Sequence, residues 1–215
     1  MVVAKPLLVV LNPRKIQPVL EAFDALRIEK AYVSGYTELE LVPVLAQLVE
    51  STDYSHYLVS ADDVIVSQRA LDSLLWLLET HPVATAWCHL DSRDPRVNIT
   101  RTPLRDLRPT VESYDFYRYE DVLGWPQEVV PTSFAGMAPQ GMSRELWQRF
   151  PFNTYSSGWA GDYHVSWRLQ KAGIPIVSAR SAFTHHLKQR WNHPDSNPDY
   201  RLYLGVEHQG VRMGA

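Results

Sequence analysis

From the N-terminus to Cys88, short continuous apolar runs alternate with stretches in which apolar residues recur every three or four positions. Leu7 to Leu11 is apolar throughout and stops at Asn12-Pro13, the pattern of a strand buried on both faces. Pro18 suits a first helical position after it, and Val19, Leu20, Phe23 and Leu26 then share one face. Ala31 to Val33 reads as a second, brief strand. Thr37 and Glu40 make a capping-box pattern ahead of Leu41, Val44, Leu45, Leu48 and Val49, with Pro43 weakening the helix. His56 to Ser60 is the next strand. Ser67 then caps an amphipathic helix that turns Leu71, Leu74, Leu75 and Leu78 inward and stops at His81-Pro82. Val83 to Cys88 is a fourth apolar strand. Strands and helices alternating in this way predict βαβ units and a largely parallel sheet.

The periodicity fails from Asp91 to Val130, where Pro95, Pro103, Pro109 and Pro126 break an Arg- and Tyr-rich stretch that reads as irregular or short-stranded. It is too long for a passive connection. Helices return at Ser143 to Phe150 and at Tyr163 to Ala172, the second closed by Gly173 and Pro175, and a strand follows at Ile176 to Ser178. From Trp191 onward the chain is rich in Asn, Pro and Asp. No repeat or low-complexity tract interrupts it, and a single domain is expected.

Composition narrows the class. The 215 residues, 45% hydrophobic and 21% charged, can bury one ordinary core. The single Cys88 lies in an apolar run, so it reads as a buried inert thiol and excludes an internal disulfide, which suits a reducing, cytoplasmic setting. Pro6 follows Lys5 and no small-residue cleavage site ends a longer apolar stretch, so the start reads as a strand and not a signal peptide. No apolar run approaches ~20 residues, and no membrane-spanning helix is expected. A formal charge of −3 argues against general polyanion binding, although Arg93 to Arg108 carries five Arg against two Asp.

Candidate chemistry begins at Asp62-Asp63, two carboxylates just past the strand His56 to Ser60. In open α/β sheets ligands bind outside the carboxyl ends of the strands, and hard divalent cations take carboxylate oxygens. The alternative is a polar strand end leading into the next helix. Three segments in order resemble the inverting, family 2-like glycosyltransferases of the GT-A fold. Ser60-Ala61-Asp62-Asp63 looks like their D-x-D motif; Phe134 to Trp147, with Gly136 and Gly141, is similar to the glycine-containing acceptor-side strand and its helix. Gly161-Asp162, with Arg168-Leu169 and Gly173 downstream, resembles the Glu-Asp segment and is trailed by His185-His186. Leu7 to Arg14 and Val97 to Leu104 look like small glycosyltransferases encoded by actinobacterial phages.

The resemblance implies an α/β GT-A domain with a nucleotide-sugar-binding half over 1–90, an acceptor and catalytic half over 91–190 and a tail or lid over 191–215. It implies metal-dependent, inverting transfer of a sugar from a nucleotide donor, uridine-linked by preference, to a hydroxyl acceptor in modified DNA, a protein or a glycan. Mn²⁺ or Mg²⁺ would sit on Asp62, with Asp63 as a neighbour or second ligand and His185, preferred slightly over His186, as the distal one; Thr184 would orient it. Such an ion offsets charge growing on the departing diphosphate. Ser60 and Ala61 fall at the donor, Ser60 replacing the Asp that usually touches the ribose. Asn12, Pro13, Arg14 and Tyr36 fall at the nucleoside pocket, where Tyr36 stacks on a pyrimidine or is a surface aromatic. Gly136 would let the backbone approach the donor sugar. Asp162 matches the catalytic base, at a position that also suits a helix N-cap. Gly161 replaces the family's Glu beside the acceptor, and Trp159 is either a sugar platform or a core residue. His164 reads as a solvent-facing helical residue. Lys188 and Arg190 are candidates for a lid over the diphosphate, and the Arg93 to Arg108 stretch for holding phosphate or an anionic acceptor. A nucleotidyltransferase on a related α/β scaffold, or a silent nucleotide-sugar-binding module, is the competing reading.

Overall fold

A computed structural model of the chain describes residues 5–11, 15–33, 38–90, 94–104, 114–152 and 161–187. In chain order these form β1 (Pro6–Leu11), α1 (Gln17–Asp24), β2 (Glu29–Val33), α2 (Glu38–Ser51), β3 (His56–Ser60), β4 (Val64–Ile65), α3 (Gln68–Leu78) and β5 (Val83–Trp87). There follow β6 (Arg96–Thr100), β7 (Phe116–Arg118), α4 (Tyr119–Leu123), β8 (Val129–Thr132), β9 (Gln140–Ser143), α5 (Arg144–Arg149), α6 (Gly161–Lys171), β10 (Ile176–Phe183) and β11 (His185–His186). Seven strands make the central sheet in the order β2-β1-β3-β9-β5-β10-β8. β1 is parallel to β2 and β3, and β10 to β5, while β9 runs antiparallel between β3 and β5 and β8 antiparallel at the edge.

Alternate residues of β1 explain the layering. Leu8 and Val10 join one core with Val19 and Phe23 of α1 and Leu71, Leu74 and Leu77 of α3. Leu7, Val9 and Leu11 join the other, with Leu45 and Val49 of α2, Trp147 of α5 and Val165 and Leu169 of α6. A strand sandwiched between helical layers must be apolar on both faces, as the continuous run Leu7 to Leu11 is. The helices begin close to where the pattern places them. Pro18 is the second residue of α1, and the Ser67 hydroxyl accepts from Ala70 N–H at 3.2 Å to cap α3. α2 continues through Pro43, which is exposed, because the apolar face carrying Leu45 and Val49 outweighs one lost backbone bond. Gly173, at φ +70°, ends α6 in the left-handed conformation that only glycine adopts freely.

The irregular stretch resolves into the two-stranded β6–β7 sheet, α4 and β8. The antiparallel β9 departs from the expected parallel order. It enters from this irregular half and not through a helical crossover, so nothing forces it to follow the direction of β3 and β5. Among the described residues no helix is long and apolar enough to cross a membrane.

Candidate functional site

β3 delivers Ser60 fully buried, and the chain then turns at Ala61, whose N–H donates to Met137 O at 2.9 Å. Asp62 and Asp63 occupy the turn between β3 and β4 and are only 3% and 7% exposed. Burying two adjacent carboxylates is costly without partners that favour their charge. Part of the compensation comes from far along the chain. β11 pairs antiparallel with β4, His185 opposite Ile65 and His186 opposite Val64, and Leu187 N–H donates to Asp63 O at 2.7 Å. This short ladder brings the acidic turn and the histidine pair together.

Neighbouring residues of a strand point to opposite sides, so the two histidines have different surroundings. His186 Nε2 lies 3.5 Å from Asp63 Oδ2. Burial works against a charge on this ring, but Asp63 and the neighbouring Cys88 sulfur outweigh it and raise the pKa to about 10. His186 Nδ1 is buried without a hydrogen-bond partner. His185 is exposed and meets the Phe183 ring edge-on at 5.1 Å. The resemblance favours His185 as the distal ligand; the ring facing Asp63 is His186. Thr184, fully buried, donates through Oγ1 to Ala138 O at 3.0 Å and fixes the start of β11.

Asp162 is the second residue of α6, inside its first turn and not at the cap, and its Oδ1 accepts from Tyr163 N–H at 2.7 Å. The positive end of the helix favours a carboxylate there. Ser166, one turn on, donates to Asp162 O at 2.8 Å and accepts from Ala135 N–H at 2.9 Å. Because Met137 receives Ala61 N–H, the segment Ala135 to Met137 is bonded to the acidic turn at one end and to the first turn of α6 at the other. Ser166 has no sequence signature beyond being a serine in a helix, and it was not among the expected site residues.

Gly136 and Gly161 both have packing reasons inside the protein. A Cβ on Gly136 would stand 2.8 Å from Asn98 Nδ2, and one on Gly161 2.9 Å from Phe152 Cδ1. Asn98 itself locks β6 to β5, its Oδ1 accepting from Cys88 N–H at 2.8 Å. Cys88 is buried, as its apolar run implies. His164 corrects the expectation of a solvent-facing residue: it is half-buried, and burial, followed by the nearby Arg168, holds its pKa below the ordinary histidine value. Tertiary packing of α6 decides this, since a single helical histidine carries no information about its own face.

Of the arginine-rich stretch, Arg96 is clamped by Asp94 through Nε at 2.9 Å, and Arg101 pairs with Asp121 and lies over the Tyr117 ring at 5.1 Å. These side chains are engaged with the protein's own acids. Asn12, Pro13, Arg14, Tyr36, Trp159, Lys188 and Arg190 lie outside the described residues.

Among the described residues no three His, Cys, Asp or Glu side chains converge as a complete metal site. Two buried carboxylates at a turn nevertheless fit a Mg²⁺- or Mn²⁺-type ion, which takes one or two carboxylates and completes its shell with water and substrate phosphate.

Neither a protein-family model nor a curated protein matches the sequence. Solved structures do. The mannosyltransferase PcManGT from Pyrobaculum calidifontis, in complex with GDP-Man and Mn²⁺, is similar over 98% of this chain and 65% of its own, at 11% identity and a TM-score of 0.55. A197 from STIV is similar over 83% of this chain and 82% of its own, at 12% identity and a TM-score of 0.53. At such identities the likeness is one of fold: the chain has the Rossmann-like α/β fold of that mannosyltransferase.

Proposed function

We propose that this protein is a metal-dependent, inverting glycosyltransferase that moves a sugar from a nucleotide donor to an acceptor hydroxyl. The observation that supports it most is the β4–β11 ladder, which joins the acidic turn to the histidine pair at the carboxyl end of β3, on a fold shared with a mannosyltransferase solved in complex with GDP-Man and Mn²⁺. Asp62, assisted by Asp63, is the proposed holder of Mn²⁺ or Mg²⁺, with one of His185 and His186 beside it. Bound there, such an ion would offset the charge growing on the departing diphosphate. Asp162, at the start of α6, takes the proton from the acceptor hydroxyl as its oxygen attacks the anomeric carbon from the face opposite the leaving group. Inversion needs one such base and no covalent intermediate. Ser166 holds the first turn of α6 to the Ala135–Met137 segment and so fixes the base relative to the acidic turn. Ser60 and Ala61, with Asn12, Arg14 and Tyr36, are assigned to the donor side; Trp159 and Gly161 to the acceptor side. The acceptor is a hydroxyl of modified DNA, protein or glycan.

The decisive assay is release of nucleoside diphosphate from UDP-glucose, UDP-galactose, UDP-N-acetylglucosamine and GDP-mannose with Mn²⁺. At least one donor is expected to turn over, with loss of turnover in excess chelator and in Asp62→Ala. Asp162→Asn is expected to bind donor normally and to lose roughly 10²–10⁴-fold in turnover. Turnover indifferent to chelator and to Asp62→Ala would end the metal assignment. Donor binding without any turnover would point instead to a silent binding module.

A further inference from the structure

Outside the proposed catalytic residues, an open groove of about 590 Å³ runs between α3 and β10, lined by Arg69, Asp72, Ser73, Trp76, Glu128 and Ser181. Four of these project from one face of α3, at the helical spacing i, i+3, i+4, i+7. Trp76 is 48% exposed, whereas Leu71, Leu74, Leu77 and Leu78 of the same helix are buried. The groove walls are tied together. Ser73 and Ser181 share a hydroxyl–hydroxyl hydrogen bond of 2.7 Å, and Glu128 Oε1 accepts from Ser181 N–H at 2.9 Å and from its hydroxyl. Arg180 reaches the other oxygen of Glu128 at 3.4 Å, and Gln68 holds Asp72 Oδ1 at 2.7 Å.

An exposed indole on a surface of fixed carboxylates, hydroxyls and a guanidinium has a definite chemical preference. A pyranose ring offers one C–H face that matches an indole and a rim of hydroxyls that both donate and accept. Asp72 accepts and Arg69 donates, while Ser73 and Ser181, whose protons are engaged within the protein, offer acceptor lone pairs. A single tryptophan offers too little apolar area for a stable protein partner, and the carboxylates of Asp72 and Glu128 repel a polyanion. We propose that this groove is a carbohydrate subsite for a neutral oligosaccharide, with one sugar ring packed on Trp76. The subsite does not require the catalytic reading. Its link to catalysis rests on it: Ser181 precedes His185 by four residues on the strand segment leading to β11, about 13 Å of extended chain, so an acceptor glycan could bridge the two.

The test is titration of the full chain with cellohexaose, maltohexaose and chitohexaose, followed by saturation-transfer NMR without nucleotide or divalent ion. Binding of at least one is expected, weakened roughly tenfold or more in Trp76→Ala and severalfold in Asp72→Asn, with thermal melting unchanged because both side chains lie at the surface. Asp162→Asn should bind the oligosaccharide as the wild type does. No binding of any of the probes at millimolar concentration, or binding that survives Trp76→Ala, overturns the subsite. Nucleotide-sugar turnover on the same preparations separates the two readings. Turnover without oligosaccharide binding overturns the groove alone, and Trp76-dependent binding without turnover upholds the groove and overturns the catalytic reading.

Discussion

His186 makes the acidic turn sensitive to pH even without a ligand. Its pKa is near 6.5 in an unfolded chain and about 10 in the fold, so the folded state holds a proton that the unfolded state releases. The pairing with Asp63 therefore stabilises fully below about pH 6.5, weakens as pH rises through the window to about 10, and is absent above it. A loss of a few kcal/mol is expected across that window. Urea unfolding from pH 6 to 10 should show a falling midpoint in the wild type and a flatter one in His186→Gln; equal slopes would remove the pair from the account. Gly136 gives a second residue-level test. Gly136→Ala places a methyl group against the Asn98 amide, which is held by Cys88 N–H, and should cost about 1–3 kcal/mol, read as a lower melting temperature. The burial of the acidic pair at the end of β3 could be anticipated from its place directly after a continuous apolar strand. The different roles of His185 and His186 could not, since which ring faces Asp63 depends on the register of β11 on β4.

At the level of elements, α6 is held at its first turn by Ser166, whose hydroxyl accepts from Ala135 N–H and donates to Asp162 O. Ser166→Ala removes the acceptor and leaves a buried N–H unpaired, a cost of about 1–3 kcal/mol. If α6 positions the base, turnover should drop by more than the stability loss explains, while Ser166→Thr restores part of it; equal turnover in the alanine variant would make Ser166 a packing residue only. Periodicity located β1, β3, α3 and β5 closely because burial on one or two faces writes itself into the spacing of apolar residues. It read the region of β6, β7 and α4 only as irregular or short-stranded, because these short elements are held by side-chain pairs such as Arg101–Asp121, which no period records.

Across the whole molecule, the βαβ alternation of the first half was enough to predict the layered α/β architecture, and the solved structures it resembles share that fold. The place of β9 was hidden, because a strand of Gln140 to Ser143 carries too few apolar residues to announce either its partners or its direction. The ladder between β4 and β11 ties Val64 and Ile65 of the first half to His186 and His185 near the end of the described residues. Closing so long a loop is an entropic cost met late in folding. During synthesis on the ribosome the acidic turn therefore emerges early and waits, exposed and without its histidine, until nearly all of the described chain has been made. A nascent chain that stops before His185 carries both carboxylates but not the ring that faces Asp63, so the ladder waits on the synthesis of β11.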